Sequence, residues 1–427
     1  MDEEPEQSGA PRTSSRWRVD VGPLRHSAQY RRLFVAQSVS FAGTMVTYVA
    51  LPYQAYQLSH SSLVVGFLSV AEVVPVVLVG LLGGAMADAF DRRTMVLWSE
   101  VGLAACSLVL VANASLWVPR LWPLFVIAVL AATFDSLQRP SLDAMVPRLV
   151  PTEDIPAAIV LSNLRSSVGM VAGPALAGGL IALAGLGIAY GLDVATFSVS
   201  LLALFGLAAV PPAADAEPLG LARIMEGLRY ARSRQDLLGT YAVDMAAMFF
   251  GMPQALFPQL ATHFGGAGVL GLLYAAPAVG TLVVGATGGW VGGVRRQGRA
   301  LVFAACGWGL AIVAFGFAAS LWVALVLLAV AGGFDTVSGF MRSTIWNQSV
   351  PDSLRGRLAG IELISYSTGP SLGNLEAGLV EALSSLRFSI VFGGVACVLA
   401  TGALAVVLPG LWRYDAARYA AGPPAAP

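Results

Sequence analysis

Residues 83–93 read Gly83-Gly84-Ala85-Met86-Ala87-Asp88-Ala89-Phe90-Asp91-Arg92-Arg93, and this is the most informative stretch of the chain. It lies where the second long apolar segment of the chain runs into the third. The two glycines permit close approach of helix backbones. Asp88 follows Gly84 by about one helical turn, and a doubled arginine fills the short connection. The pattern therefore predicts a charged loop between two membrane-spanning helices, at one face of the membrane.

The composition is that of a membrane protein. Hydrophobic residues make up 56% of the 427 positions, charged residues make up 12%, and the mean hydropathy is +0.72. A soluble chain of this length needs far more charge to cover its surface, so the bilayer is the main solvent. The formal net charge is zero, which gives no reason to expect a nucleic-acid partner.

The sequence carries no recognisable catalytic or metal-binding signature. Its three cysteines lie far apart within apolar runs, and its three histidines do not pair at ligand spacing. The zinc-protease, P-loop, nucleophile-elbow and Cys-x-x-Cys patterns do not occur. We therefore expect no enzyme activity, no metal site and no cofactor.

Twelve apolar segments are long enough to span a bilayer, which takes about 20 residues. They lie at about 31–57, 62–88, 92–116, 120–146, 155–184, 186–210, 239–259, 266–290, 299–320, 321–346, 357–384 and 387–411. Orientation follows from arginine, because lysine is absent and all 25 basic residues are arginine. With the N-terminus inside, two arginines lie outside and three lie within spans, which leaves twenty on the cytoplasmic side. Both termini are therefore predicted to be cytoplasmic.

The longest internal loop divides the chain into two halves that are related in sequence. Phe134-Asp135 recurs as Phe334-Asp335, and Val150-Pro151 recurs as Val350-Pro351, each 200 positions later. Such matches in the same order indicate a duplicated six-helix unit. The predicted parts are a disordered cytoplasmic arm at 1–28, an N-terminal six-helix bundle at 29–210, a cytoplasmic linker with an amphipathic helix at 211–238, a C-terminal six-helix bundle at 239–411 and a cytoplasmic tail at 412–427.

Several stretches resemble the major facilitator superfamily of secondary transporters. Residues 83–93, taken as Gly-x-x-x-Asp-x-x-Asp-Arg-Arg, resemble its signature loop. Residues 169–179 resemble the helix-5 motif of its drug:proton antiporters, although Ala177 replaces one of the usual glycines. Residues 142–151 and 271–280 are similar to the third antiporter group, the enterobactin-exporter-like branch.

The resemblance covers about residues 28–411 and implies the major facilitator fold. That fold is an all-α integral membrane protein with twelve transmembrane helices in two six-helix pseudo-symmetric bundles. The resemblance also implies a conformational gate, formed by Gly84, Asp88, Asp91, Arg92, Arg93, Gly173 and Pro174. At this gate Asp88 is expected to meet the N-terminal end of helix 11 in the outward-facing state, and the arginines are expected to pair with nearby acids.

The implied function is efflux of an amphipathic small molecule from the bacterial inner membrane, such as a siderophore, a macrolide or another secondary metabolite. The proton gradient is the expected energy source. The expected partners are the substrate, protons and lipid, around a monomeric transporter. A proton-coupled importer of a small polar nutrient is the alternative. A non-transporting receptor or scaffold is a remote one, because the sequence contains no large soluble domain.

Charged side chains within the spans are candidates for the transport cavity, because ionised groups in a bilayer usually face water or a partner. Helix 4 carries Asp135 and Arg139, whose spacing of four residues places them on one helix face. Helix 10 carries Asp335 and Arg342, two turns apart. Two interpretations stay open: a charged lining that couples protons to substrate, or ion pairs that hold helices together.

Three further acids, Glu72, Asp193 and Asp244, lie among apolar residues in helices 2, 6 and 7. Each can serve as the proton site or as an interhelical hydrogen-bond acceptor. Asp244 is the most attractive of the three as a proton site, because helix 7 lines the cavity in major facilitator folds.

Helix 1 has no internal charge but carries a polar stripe. Gln37, Ser40, Thr44 and Thr47 share one helix face. Their hydroxyl and amide groups can meet a polar substrate in the cavity. They can also hydrogen-bond to neighbouring helices, and the sequence leaves both interpretations open.

Overall fold

The computed structural model of the chain describes residues 20–89, 91–209 and 229–415, with side chains throughout except at residues 80–89 and at several positions between 352 and 363. Within these ranges the chain forms helices and no strands. We number the helices α1 Gly22–His26, α2 Ala28–Ser59, α3 Ser62–Ala89, α4 Arg92–Ala114, α5 Trp122–Leu149, α6 155–184, α7 186–205, α8 Gln235–Phe250, α9 Phe257–Phe264, α10 Ala267–Thr287, α11 Gln297–Gly316, α12 Leu321–Ser349, α13 Asp352–Leu383, α14 Leu386–Val407 and α15 Pro409–Trp412.

Eight helical stretches of the described chain are long and apolar enough to cross a membrane. One of them, Ile155–Phe205, contains both α6 and α7 and is divided at Gly185. Gly185 has φ +81° and ψ 172°, a backbone conformation that residues with a side chain avoid. The sequence predicts a turn at this position. The remaining crossings, α5, α8 with α9, and α13, are shorter or more polar, and within the described ranges they bring the total to twelve.

Both ends of the stretch Ile155–Phe205 lie beside the start of α2. The Tyr30 hydroxyl donates to the Ala158 carbonyl at 3.1 Å, and the Arg32 guanidinium donates to the Gly206 carbonyl. The chain therefore reverses direction at Gly185, and α6 and α7 are antiparallel crossings.

The seventh crossing differs from its predicted form, a single helix over 239–259. α8 begins earlier, at Gln235, and ends at Phe250, and α-helix resumes only at Phe257, after a 3₁₀ turn at Gln254–Leu256. Pro253 has no backbone N–H with which to continue the helix. The indole Nε1 of Trp308 donates a hydrogen bond of 3.1 Å to the Gly251 carbonyl, and this bond satisfies a carbonyl group just after the end of α8. The predicted helix is therefore interrupted.

The predicted disordered arm at 1–28 contains a folded segment. Residues 22–26 form α1, and His26 Nδ1 lies 3.0 Å from Asp154 Oδ2. The prediction is therefore wrong for the end of the arm, while residues 1–19 lie outside the described residues.

The predicted tail at 412–427 also begins with folded residues. Tyr414 is buried, and its hydroxyl donates to Gln348 Oε1 at 3.0 Å. The bundle therefore extends past the predicted boundary, and residues 416–427 lie outside the described residues.

The predicted linker at 211–238 falls mostly outside the described residues, which resume at 229. Residues 229–233 are helical, and α8 already begins at Gln235. The last residues assigned to the linker therefore belong to the first helix of the second half.

The helices form two halves, α2–α7 and α8–α14, which meet where α3 packs on α13 and α6 packs on α10. Glycines permit this approach: a Cβ on Gly66 would lie 2.7 Å from the Asn374 carbonyl oxygen, and a Cβ on Gly178 would lie 2.7 Å from the Ala267 carbonyl oxygen. Small residues at such contacts let helix backbones pack closely in a membrane.

Among the described side chains, the hydrogen bonds between the two halves lie toward one end of the bundle. We call the end that carries α1, α15 and the end of α7 the terminal face, and the end that carries the turn at Gly185 the distal face. Tyr48 Oη donates to Gln254 Oε1 at 3.1 Å, and Ser62 Oγ donates to Gln259 Oε1 at 2.7 Å, both near the distal face. The two halves are therefore closed against each other at the distal face.

Candidate functional site

The charged stretch 83–93 connects α3 to α4. Gly84 and Asp88 lie in α3, and their side chains are outside the described part of the chain, so the expected contact of Asp88 stays a prediction. Asp91 caps α4, because its Oδ1 accepts the Thr94 backbone amide at 2.9 Å. Such a cap stabilises a helix start by about 1 kcal/mol.

Arg92 and Arg93 begin α4. Arg92 is buried. Arg93 donates through Nη2 to the Phe205 carbonyl at 3.0 Å and through Nε to the Leu204 carbonyl at 3.5 Å. These carbonyls end α7, where free acceptors and the helix dipole favour a cation. The expectation that Arg93 pairs with an acid is therefore wrong, since the C-terminal end of a helix occupies that place.

Gly173 and Pro174 lie in α6, between α2 and α10. A Cβ on Gly173 would lie 2.5 Å from the Met45 Cβ of α2. The Pro174 carbonyl oxygen lies directly against Gly271 of α10. These two residues thus belong to the closure between the halves, and their role as a gate stays a prediction.

Asp135 and Arg139 form the ion pair that their spacing predicts. Arg139 Nε lies 2.9 Å from Asp135 Oδ2, and the two side chains are 68% and 39% exposed, respectively. The pair therefore borders open space and is not packed between helices. Arg139 is also close enough to Tyr366 of α13 for electrostatic interaction, so this space is the gap between the two halves.

Asp244 is not the isolated acid that the sequence predicts. Arg342 Nη1 of α12 forms an ion pair with Asp244 Oδ1 of α8, and the arginine is 25% exposed while the acid is 6% exposed. Arg342 thus pairs across helices. Asp335 interacts electrostatically with both residues and makes no described ion pair with Arg342. The two halves therefore do not repeat the same charged pair.

A cavity of about 170 Å³ lies beside the Asp244–Arg342 pair. It is lined by α8, α12 and α13, through Thr240, Tyr241, Asp244, Gly339, Arg342, Ser343, Trp346, Glu362, Ser365 and Tyr366. Glu362 was overlooked in the sequence, although it is an acid within a predicted span, as Asp244 is. Trp346 and Ser365 carry no such signal, because only helix packing brings them to the cavity.

Asp193 lies in the interior of the first half. It is 1% exposed, and its Oδ2 accepts hydrogen bonds from Thr47 Oγ1 at 2.6 Å and from Ser107 Oγ at 2.7 Å. These bonds join α7 to α2 and α4. Asp193 is therefore an interhelical acceptor, one of the two roles that the sequence allows, and Thr47 of the polar stripe serves it.

Glu100 of α4 is a second buried acid in this half, and it was also overlooked in the sequence. It is fully buried, and its Oε1 accepts a hydrogen bond from Ser40 Oγ at 3.0 Å. Ser40 and Thr47 of the polar stripe on α2 thus both donate hydrogen bonds to acids on neighbouring helices of the first half.

Gln37 and Thr44, the other members of the stripe, make backbone contacts. The Gln37 carbonyl accepts from Arg165 Nη1 at 2.9 Å, and Thr44 Oγ1 donates to the Ser40 carbonyl of its own helix at 3.1 Å. Arg165 also borders a groove of about 460 Å³ between α2, α6 and α7, whose lining is mainly apolar. This groove does not include the charged pairs.

Glu72 lies apart from the other predicted cavity residues. It is half-buried in α3 and interacts electrostatically with the phenol groups of Tyr48 and Tyr274, whose rings pack edge to face with centroids 5.3 Å apart. This cluster joins the two halves close to the distal closure. Its role in proton transfer stays a prediction.

The described ranges contain twelve crossings in two halves, closed at one face and with charged side chains beside the gap, and this arrangement is that of a secondary transporter of the major facilitator fold. Solved transporters share the architecture. The nucleoside transporter NupG superimposes with a TM-score of 0.71 over 91% of this chain and 100% of its own, at 12% identity. A POT family transporter in complex with 5-aminolevulinic acid gives 0.71 over 90% and 97%, also at 12% identity. At such identity the likeness shows the fold alone.

Residues 19–422 match the family described as transmembrane secretion effectors, and the chain belongs to that family. It is 28% identical over 400 residues to the enterobactin exporter EntS of Citrobacter koseri, which covers 93% of this chain and 96% of the relative. EntS of Shigella boydii serotype 4 is 27% identical over the same shares. The predicted superfamily and branch are confirmed, and the chain is a multi-pass membrane transporter and not an enzyme.

Proposed function

We propose that the chain is a proton-coupled exporter of an amphipathic small molecule, which works by alternating access in the bacterial cytoplasmic membrane. The observation that carries this proposal is the placement of charge. The Asp135–Arg139 pair and the Asp244–Arg342 pair come from different halves, and the distal face is closed. A polar site between two repeats, reached from one face at a time, is what alternating access requires.

In the proposed orientation the terminal face is cytoplasmic. The positive-inside rule supports this, because the loops and helix ends of the distal face hold only two of the arginines, Arg120 and Arg387. The structure then corresponds to a state closed to the outside, in which an exporter takes substrate from the cytoplasm or from the inner leaflet.

Outward transport is supported by the relatives named enterobactin exporters, and enterobactin is therefore the first substrate to test. For the proton step we assign Asp244. Its partner Arg342 stabilises the ionised carboxylate, and loss of that contact in the opposite state favours protonation of a buried acid. Asp244 is then neutralised by Arg342 in one state and by a bound proton in the other, which couples its protonation to the conformation of the protein.

Uptake into proteoliposomes tests the proposal. The purified protein is reconstituted without ATP and offered radiolabelled enterobactin, then a panel of macrolides and other amphipathic metabolites. A lumen more acidic than the bath should drive uptake, because antiport exchanges lumenal protons for substrate. Asp244→Asn should still bind a transported compound but lose its response to the gradient. Glu153→Gln, at an exposed connection outside the membrane-spanning helices, is the matched control and should behave as wild type.

The direction of the pH gradient that drives uptake distinguishes the proton-coupled exporter from the proton-coupled importer. Uptake driven by an acidic bath would identify a symporter and favour the importer alternative. Uptake that ignores both gradients would contradict proton coupling. If no compound of the panel enters under either gradient, the export proposal fails.

A further inference from the structure

The cavity between α8, α12 and α13 has room for one end of a substrate. Its volume of about 170 Å³ is below the usual range for a whole drug-sized ligand. Tyr366 lines it and is 49% exposed, and this residue interacts electrostatically with Arg139 of the other half. The cavity therefore opens into the gap through which a substrate passes.

The lining of this cavity carries more negative than positive charge. Its ionisable acids and base are Asp244, Glu362 and Arg342. Arg342 forms its ion pair with Asp244, while Glu362 interacts with Arg342 electrostatically and makes no ion pair of its own among the described side chains. Asp335 adds a further acid close to the pair. A carboxylate without an ion pair of its own in such surroundings favours a cationic ligand.

Ser365 is an independent indication of a ligand. The residue is 6% exposed and lines the cavity, yet its Oγ has no hydrogen-bond partner among the described residues. Buried hydroxyl groups are nearly always hydrogen-bonded. Ser365 follows Glu362 by three residues on α13 and so lies on the same helix face. One ligand group that donates hydrogen bonds can therefore reach both side chains.

Aromatic side chains form much of the remaining wall. Trp346 Nε1 donates to the Tyr241 hydroxyl oxygen at 3.0 Å, which holds the indole and the phenol together. Tyr366 is the third ring of the lining. Aromatic faces attract a cation within about 6 Å of the ring centre and also pack against its carbon atoms. The wall thus suits an organic cation better than a metal ion.

We propose that this cavity binds the protonated amine of an amphipathic organic substrate. The ammonium N–H groups donate to the Glu362 carboxylate and to Ser365 Oγ, and the aromatic wall contacts the adjoining carbons. The inference rests on the proposed function and names the substrate class of the same site. A carboxylate ligand would meet Glu362 with like charge, and a neutral alcohol would leave Glu362 with only a share of the Arg342 charge, which Asp244 already pairs.

Equilibrium binding tests the inference without any proton gradient. Tritiated phenethylamine is bound to the purified full-length protein in detergent and measured by scintillation proximity. Unlabelled phenethylamine, 2-phenylethanol and phenylacetate then compete as a cation, a neutral molecule and an anion of similar shape. We expect 2-phenylethanol to compete about tenfold more weakly than phenethylamine, the effect of losing a charged hydrogen bond. Phenylacetate should not compete.

Two variants connect binding to the cavity. Glu362→Gln and Ser365→Ala should each weaken phenethylamine binding about tenfold, while the control Glu153→Gln should bind as wild type. If Glu362→Gln does not elute as a folded protein in size-exclusion chromatography, Ser365→Ala decides, since it removes a single oxygen atom.

Equal competition by phenylacetate, or unchanged affinity in Ser365→Ala, would overturn the inference. Gradient-driven export of a compound without an amine, together with no binding of phenethylamine, would overturn it and leave the proposed function intact. Binding of phenethylamine by a protein that ignores both pH gradients would support the amine site and contradict only the proton coupling.

Discussion

Arg342→Gln should destabilise the protein more than Asp244→Asn, because the two variants leave different charges behind. Asp244→Asn leaves the Arg342 guanidinium, which still has Asp335 and Glu362 nearby to balance its charge. Arg342→Gln leaves three acids close together with no arginine among them. Loss of Asp244 therefore leaves a compensated arginine, whereas loss of Arg342 leaves uncompensated acids.

The magnitudes follow from burial. Removing one partner of a buried ion pair costs about 3–5 kcal/mol, and Asp244 is 6% exposed while Arg342 is 25% exposed. We expect Arg342→Gln to lower the free energy of unfolding by an amount in that range. For Asp244→Asn we expect about 1.5–3 kcal/mol, the loss of one hydrogen bond to a charged group. The double variant should be more stable than Arg342→Gln alone.

The Asp135–Arg139 pair is the matched control. It joins the same residue types in the other half, but its side chains are 39% and 68% exposed. Exposed pairs contribute about 0–1 kcal/mol, so Asp135→Asn should change stability little. The exposure of the pair therefore predicts a smaller loss of stability than removal of a buried charge would cause.

Thermal unfolding with a thiol-reactive dye measures these differences, because Cys106 and Cys397 are buried free thiols and Cys306 is partly buried. The dye reacts as unfolding exposes them. Equal midpoints for Arg342→Gln and Asp135→Asn would refute the reasoning, as would a larger loss in Asp244→Asn than in Arg342→Gln.

Three further variants test other parts of the molecule. Asp88→Asn should fold normally but reduce transport and raise accessibility from the terminal face, because a negative charge that favours a helix N-terminus is lost; unchanged transport in proteoliposomes would contradict this. Gly271→Leu places a side chain against the Pro174 carbonyl and should hold the distal face open, so maleimide labelling of an introduced cysteine at Ser62 should rise, and wild-type labelling would count against it. Ser107→Ala removes one of two hydroxyl donors to Asp193 and should lower stability by about 1.5–3 kcal/mol, whereas Ser198→Ala, whose hydroxyl donates to its own helix, should not; equal midpoints would disprove the difference.

Most of the fold could be predicted from the sequence because a membrane imposes local rules. Each crossing must satisfy its own backbone hydrogen bonds, so apolar length identifies most of the crossings. The turn at Gly185 follows from composition in the same way, and the observed positive φ agrees with it. The interruption between α8 and α9 could not be predicted, because the contact of Trp308 with Gly251 joins residues far apart in the chain.

In the candidate site, too, contacts within one helix could be predicted from the sequence, and contacts between helices could not. Asp135 and Arg139 pair within one helix, and a spacing of four residues is enough to predict it. Arg342 pairs with Asp244 on another helix, and no periodicity in either segment reveals which helices pack together. Glu100 and Glu362 differ again: their residue type and position within spans were visible, and only their partners required the structure.

The two halves are duplicates in sequence, and the positions at which they no longer match show why their charged residues beside the gap differ. Asp335 repeats Asp135 at a shift of 200 positions, but the position that repeats Arg139 is Gly339, which lines the cavity. Close packing does not require glycine there, since a Cβ would meet only Arg342 Nη2, at 3.8 Å. The absence of a side chain at Gly339 instead leaves space in the cavity. The arginine of the second half is Arg342, which lies about 10 Å further along α12 than Asp335. Arg342 pairs with Asp244 of α8. A bound ammonium group would thus bring to the second half the positive charge that Arg139 supplies to the first.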